Sequence, residues 1–158
     1  MKITMDQIKK LREESGAGVM RAKAVLEEQK GDEKKALEIL RKEGFEKSEK
    51  RSGRATEQGI ISSYIHHSGK VGVLVEILCE TDFVAKNDLT VALGKDVALQ
   101  IASMSPKDVK ELESQDFIKD TSKKISDLVK EVSSKTGENI KIGKFSRIEV
   151  GEVPAGEK

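Results

Sequence analysis

The periodicity of the apolar residues changes sharply in the middle of this chain. Through residues 71–79 apolar side chains alternate, which predicts a strand with one buried face. From Leu89 to Met104 they recur every three or four positions, which predicts an amphipathic helix over 87–103. Residues 79–87 therefore form a corner between a strand and a helix, and the rest of the fold has to pack around both.

The residues of this corner first indicate a structural role. Thr81 or Asp82 is suited to be the N-cap of the helix, because its side-chain oxygen can accept from an unpaired amide of the first turn. Phe83 is notable because aromatic residues make up only 3% of the chain. Residue types alone favour a Phe83 side chain that packs beneath the corner.

Residues 1–44 predict three short helices in a compact bundle. Thr4 and Gln7 form a capping box at the start of the first helix, and Asp32 is placed to cap the third. Glycines at 16, 31 and 44 are expected to end the helices. The predicted buried positions are Met5, Ile8, Leu11, Ala22, Val25, Leu26, Ala36, Ile39 and Leu40.

Residues 45–57 are charged and poor in apolar side chains, which predicts a partly helical linker. Its basic residues could bind phosphates: Lys47, Lys50, Arg51 and Arg54. Because acidic residues interrupt them and no aromatic accompanies them, a solvated linker is favoured.

The remaining residues, 58–150, predict a core of mixed α and β structure. Two strands are joined by a turn at Ser68-Gly69, and two helices and a third strand follow. The expected bounds are 60–66, 71–79, 87–103, 122–135 and 139–150, with a short connection at 106–120. The predicted fold class is α+β, with a three-stranded antiparallel sheet and flanking helices behind the bundle. Residues 151–158 are expected to be a flexible tail.

Composition bounds the possible partners and the compartment. The 29 basic and 28 acidic residues give a net charge of +1, so neither nucleic acid nor a membrane is an expected partner. A single cysteine, Cys79, excludes an internal disulfide, and no apolar run reaches the roughly 18 residues that a membrane span needs. With no signal-peptide core after Met1, these features predict a cytoplasmic protein.

No catalytic constellation is recognisable, so the expected function is binding rather than enzymatic, without a cofactor. The two histidines, His66 and His67, are predicted to point to opposite faces of a strand, which argues against a metal site. Cys79 is expected to be a buried or interface thiol. Gly94 marks either a weak point of its helix or a place of close packing.

The segment Thr81-Asp82-Phe83-Val84 resembles the Thr-Asp-Phe-Val signature of the bacterial elongation factor Ts family. The likeness runs from residues 8–13 through 16–20 to 137–140. It implies a guanine nucleotide exchange factor for elongation factor Tu, with Phe83 as a wedge entering the G domain near its Mg²⁺ and phosphate site. Asp82 would hold the turn or compete for polar partners beside the metal, and Thr81 and Val84 would frame the corner. The bundle would be of the ubiquitin-associated type.

The resemblance also implies contact of the bundle with the G domain through Val19, Met20 and Lys23. Core packing of Val19 and Met20, or simple solvent exposure of Lys23, stays open as the alternative. Longer family members carry the core twice and short ones pair two chains, so a homodimer through the sheet or its helices is expected, forming a heterotetramer with elongation factor Tu. The alternative function is a non-catalytic protein- or nucleic-acid-binding module built on the bundle, which leaves residues 81–84 without a role.

Overall fold

The computed structural model describes residues 2–153, and it confirms the predicted α+β class and the three-stranded antiparallel sheet. Part of the tail predicted at 151–158 lies outside the described residues. The helices are α1 Met5–Ser15, α2 Val19–Glu28, α3 Glu33–Arg51, α4 Asp82–Ala85, α5 Asp88–Met104, α6 Val109–Ser114 and α7 Ile125–Thr136. The strands are β1 Gln58–Ile65, β2 Val71–Cys79, β3 Asp116–Phe117, β4 Asp120–Lys124 and β5 Lys141–Glu149.

The chain forms two compact units. The helical unit comprises the residues up to Ala55 together with Lys130–Asn139. The sheet unit comprises Thr56–Val129 and the residues from Ile140 onward. The second half of α7 therefore groups with the N-terminal helices, although the sequence pattern placed it in a 58–150 core.

The helical unit is built around the apolar faces of α1, α2 and α3. The predicted capping box is present: the Gln7 amide donates to Thr4 Oγ1 at 3.3 Å and the Thr4 amide donates to Gln7 Oε1 at 3.0 Å. The buried core is Ile8, Leu11, Ala22, Val25, Leu26, Ala36 and Leu40. Met5 was expected in this core but is 73% exposed, because Ile3 packs against the core at this end of α1 instead.

The third helix does not end before Gly44, so that prediction is wrong. It continues to Arg51, and its second half contacts α7 through the side chains of Glu49 and Arg51. At Gly44 an added Cβ would lie 2.8 Å from Ser134 Oγ and 3.1 Å from Ser134 Cβ, so a larger residue here would displace the Ser134 side chain. The Arg51 guanidinium donates to Ser133 O at 3.0 Å, and Lys130 pairs with Glu49 at 3.2 Å. These contacts fix residues that the sequence pattern assigned to a solvated linker.

The sheet unit has the strand order β1-β2-β5, with both pairs antiparallel. Its buried face carries Val73, Val75, Ile77 and Cys79, the alternating positions that the sequence predicted. Helix α5 packs against β1 and β2, with Leu93, Val97 and Ile101 buried. The ends of its predicted apolar stripe are more open, since Leu89 is 37% and Met104 is 50% exposed.

A two-stranded hairpin, β3–β4, was not predicted. The sequence indicated a short connection at 106–120 with one helical turn, which is α6. It also indicated a helix from 122, whereas α7 begins at Ile125. The fully buried side chain of Gln100 holds the hairpin on α5: its Nε2 donates to Asp116 O at 3.0 Å and its Oε1 accepts from the Ile118 amide at 3.0 Å. Polar side chains in β4 hide the strand from a hydrophobic pattern.

Candidate functional site

The corner after β2 is built on Thr81. Of the two predicted caps, the structure has Thr81: its Oγ1 accepts from the Val84 amide at 3.4 Å, and its backbone is extended. The Thr81 carbonyl accepts from the Ala85 amide at 3.1 Å, which closes the single turn of α4. A capped one-turn helix therefore follows the strand directly.

The corner does not continue into one long helix, because Asn87 begins a new one. Asn87 Oδ1 accepts from the Leu89 amide at 2.9 Å and so caps α5. The Asn87 amide donates to Val84 O at 3.1 Å, which ends the preceding turn. Two caps within seven residues make α4 a separate turn between β2 and α5, with its backbone hydrogen-bonded at both ends.

Phe83 lies on the outer side of this turn, with 90% of its surface exposed. The expectation from residue types that it packs beneath the corner is therefore wrong. Ala85, which is 1% exposed, fills the inner side, and Val84 is half-buried. Exposure is what the family resemblance requires of an apolar wedge.

Asp82 lies beside Phe83 and forms an ion pair with Lys86 at 2.8 Å, one helical turn away. The hydrogen bond to Asp82 and its negative charge raise the pKa of the Lys86 ammonium. Both side chains are exposed, so water screens the pair and it adds little to stability. The pair leaves a polar rim next to the exposed ring.

The other predicted contact residues lie in the first turns of α2. Val19 is 41% and Met20 is 78% exposed, so neither belongs to the bundle core. Lys23 is also exposed, and its Nζ lies 3.8 Å from Oε1 of Glu27. The N-cap of α2 is Gly18, which offers no side-chain hydrogen bond to the first amides. The start of α2 is thus an open apolar surface with a basic residue beside it.

The outer face of the sheet is a third exposed apolar surface. The expected homodimer was assigned to the sheet or its helices, but the residues of this face were not predicted. Leu74 stands opposite Ser146 and Ser63, and Ile148 stands opposite Gly72. The exposed fractions are 70% for Ile61, 68% for Ile65, 56% for Leu74 and 71% for Ile148. The signal was available: β1 and β2 carry apolar residues at both alternating sets of positions, which is typical of a sheet covered on both faces.

The surroundings of Cys79 and of the two histidines indicate structural roles for these side chains. Cys79 is fully buried, as expected, and its Sγ donates to Thr81 O at 3.1 Å. His66 and His67 follow β1 rather than lying in it, and their ring centroids are 4.1 Å apart, so the prediction that they point to opposite faces is wrong. Among residues 2–153, no cluster of three or more His, Cys, Asp or Glu side chains could hold a metal ion.

Within residues 2–153, the corner, the start of α2 and the outer sheet face expose apolar side chains, which is typical of a protein that binds other proteins. Within the same described residues, no helix combines the length and apolar character needed to cross a bilayer.

Comparison with known proteins identifies the family. The sequence model described as Elongation factor TS matches residues 80–155. Elongation factor Ts of Thermotoga neapolitana is 42% identical over 195 aligned residues, covering 96% of this chain and 99% of the relative. That of Leptospira biflexa is 41% identical over 196, covering 96% and 99%. That of Solidesulfovibrio magneticus is 39% identical over 196, covering 95% and 98%.

The chain therefore belongs to the elongation factor Ts family of translation elongation factors. The 195 aligned positions exceed the 158 residues of this chain, so the Thermotoga relative carries residues that have no counterpart here.

Proposed function

We propose that this chain is a guanine nucleotide exchange factor for elongation factor Tu and that Phe83 is its wedge. The observation that carries the proposal is the 90% exposure of Phe83 on a one-turn helix whose backbone is hydrogen-bonded at both ends. Burying a phenylalanine side chain is worth about 2–3 kcal/mol. Because the turn is already ordered, little of that free energy is lost to ordering on binding.

The mechanism follows from how a G protein holds its nucleotide, through phosphate contacts and a bridging Mg²⁺. An exchange factor that binds the empty G protein more tightly than the GDP-bound form lowers the affinity of the G protein for GDP by the same ratio. Phe83 would enter the G domain of elongation factor Tu near this site, and Asp82 would compete for polar partners beside the metal. Thr81 and Val84 would frame the corner. No covalent bond changes, so the chain would be neither an enzyme nor dependent on a cofactor.

The start of α2 is the proposed second contact with the G domain. Val19 and Met20 are exposed without being part of the bundle core, and Lys23 adds a positive charge beside them. An apolar patch with a charged neighbour is a common composition for a protein contact. With a role in translation we also propose that the protein acts in the cytoplasm.

The outer sheet face supports the proposal that two copies of this chain pair, giving a heterotetramer with two molecules of elongation factor Tu. Ile61, Ile65, Leu74 and Ile148 leave on one face more apolar surface than a solitary sheet usually exposes. A two-fold axis brings the same patch together from both copies, so an apolar patch is self-complementary. Glu76 lies on the same face opposite Ile61, and its Oε1 accepts from the Lys144 amide at 3.2 Å. The net charge of +1 causes little repulsion between copies.

The exchange proposal is tested by release of fluorescent GDP from elongation factor Tu. The wild type should accelerate release, and Phe83→Ala should reduce the acceleration by about tenfold or more, the loss typical of a buried aromatic anchor. Met104→Ala is the matched control, since it removes an exposed apolar side chain at the C-terminal end of α5, the end that lies away from α4.

Each result has a distinct meaning. No acceleration by the wild type would overturn the exchange function and favour the binding module on the N-terminal bundle. Equal acceleration by wild type and Phe83→Ala, with unchanged melting temperatures, would remove Phe83 from the mechanism. Equal losses in Phe83→Ala and Met104→Ala would show a general effect of surface truncation.

A further inference from the structure

We propose that the buried thiol of Cys79 is a positioning residue for Phe83: it anchors the corner to the sheet core through the Thr81 carbonyl. The inference rests on the proposed exchange function for its consequence, but its structural content concerns the free protein. Cys79 does not touch the proposed partner, because it is fully buried.

The Thr81 carbonyl is where the sheet and the corner meet. It accepts from Cys79 Sγ at 3.1 Å and from the Ala85 amide at 3.1 Å. A carbonyl oxygen has two lone pairs, so both donors can bind at once. The first donor belongs to the last residue of β2 and the second to the last residue of α4. One oxygen therefore joins the strand to the turn that carries Phe83.

The orientation of this peptide sets the direction of the phenylalanine. The plane that contains the Thr81 carbonyl also contains the Asp82 nitrogen, because the peptide bond is planar. Rotating that plane would move the axis of α4 and turn Phe83 with it. A helix of four residues has no stability of its own, since helix nucleation is unfavourable. It depends on contacts at its ends, and the thiol is a contact held within the core.

The anchor itself is rigid. Cys79 pairs with Gln58 in β1, and its side chain shares the buried sheet face with Val75 and Ile77. Since it is fully buried, the thiol is shielded from oxidants and alkylating reagents, which favours a role as hydrogen-bond donor over one as a reactive group.

Amide hydrogen exchange of the free protein tests the anchor. Cys79→Ala removes the donor, Cys79→Ser keeps one, and Val75→Ala is the control that removes core volume from the same face four residues earlier. In Cys79→Ala we expect the Ala85 amide to exchange about twofold to fivefold faster than in the wild type, because a thiol is a weak hydrogen-bond donor and its bond lies at the low end of the usual range. Cys79→Ser should retain most of the protection, and Val75→Ala should leave Ala85 close to wild type.

Nucleotide release then tests the consequence. Cys79→Ala should accelerate GDP release several-fold less than the wild type, with recovery in Cys79→Ser. The anchor is overturned if Ala85 exchanges equally in Cys79→Ala and Val75→Ala, or if serine protects no better than alanine. If wild type fails to accelerate release, the proposed function falls, while the Ala85 measurement still decides whether Cys79 positions the corner.

Discussion

Gly94 of α5 lies directly against Ser62 of β1. A Cβ added at position 94 would overlap Ser62 Oγ and lie 2.8 Å from Ser62 Cβ and 3.5 Å from Ile77 Cγ1. Glycine costs a helix interior about 1 kcal/mol relative to alanine. Here that cost accompanies close packing of α5 on the sheet, so Gly94 is a packing position rather than a weak point of the helix.

Gly94→Ala should therefore lower stability although alanine favours helix. Overpacking a tight contact costs about 1–3 kcal/mol, and after the gain in helix propensity we expect a net loss of about 1–2 kcal/mol. Urea unfolding measures it. The double variant Ser62→Ala with Gly94→Ala should recover part of the loss, because the overlapping hydroxyl is gone. A Gly94→Ala protein as stable as the wild type would contradict the close approach.

The elements that the sequence predicted well are those with strong periodicity or clear caps. The strand Val71–Cys79 is confirmed to the residue, and the Thr4–Gln7 capping box is present. The glycine pattern predicts that α3 ends before Gly44, but the helix runs on to Arg51 and Gly44 lies against Ser134 of α7. A contact between residues about ninety positions apart leaves no local signal, so tertiary packing overrode the glycine rule.

For the candidate site, residue types alone placed Phe83 in the core, and only the family resemblance favoured exposure. Local patterns cannot separate the two, because an apolar residue after an N-cap occurs in both situations. In the structure the small side chain of Ala85, two residues after Phe83, fills the inner side of the turn, and Phe83 is exposed. The residues of the outer sheet face were missed for a different reason, because its apolar residues alternate with the buried set in the same strands.

Thr90 should tolerate loss of its hydroxyl. It is fully buried, and its Oγ1 has no hydrogen-bond partner within residues 2–153. An unsatisfied buried hydroxyl costs about 1–3 kcal/mol, and valine has nearly the same shape. Thr90→Val should therefore be neutral or more stable by up to about 2 kcal/mol. Thr90→Ser, which keeps the hydroxyl and loses the methyl group, should be less stable than the wild type in the same unfolding measurement. The reverse order would show that the hydroxyl is satisfied in solution.

Lys30 has a backbone conformation that glycine adopts more easily, with φ of +53° after the end of α2. Lys30→Gly should raise stability by roughly 0.5–1 kcal/mol, since the left-handed conformation no longer carries a Cβ. Lys42→Gly provides a matched control, because Lys42 is exposed in the interior of α3. There glycine should cost about 1 kcal/mol. Thermal unfolding with the same sign for both variants would contradict the backbone argument.

Glu43 should make stability depend on acid pH. Arg21 Nε donates to its carboxylate at 3.0 Å, and this hydrogen bond, with the guanidinium charge, lowers the pKa of Glu43 below its ordinary value of 4.5. A depressed folded-state pKa stabilises above the unfolded value, and the contribution is lost as the pH falls through the folded pKa. The difference in unfolding free energy between wild type and Glu43→Gln should thus be largest near neutral pH and shrink below about 4.5. Urea titrations from pH 7 to 3 measure it, and a difference independent of pH would contradict the ion pair.

Leu74 should decide whether the proposed homodimer forms through the outer sheet face. It is 56% exposed on the central strand β2, so Leu74→Asp would place a charge in the middle of a paired apolar surface while leaving the fold of each chain unchanged. Burying an unpaired carboxylate is costly enough to prevent association at micromolar concentration. Sedimentation equilibrium should show a dimer for the wild type and a monomer for Leu74→Asp.

Met5→Asp is the control, since Met5 is 73% exposed and lies in the first turn of α1, where an acidic residue is favourable. It should remain dimeric. A wild type that is monomeric, or a Leu74→Asp protein that is dimeric, would contradict pairing through this face and leave the exchange activity to a single copy.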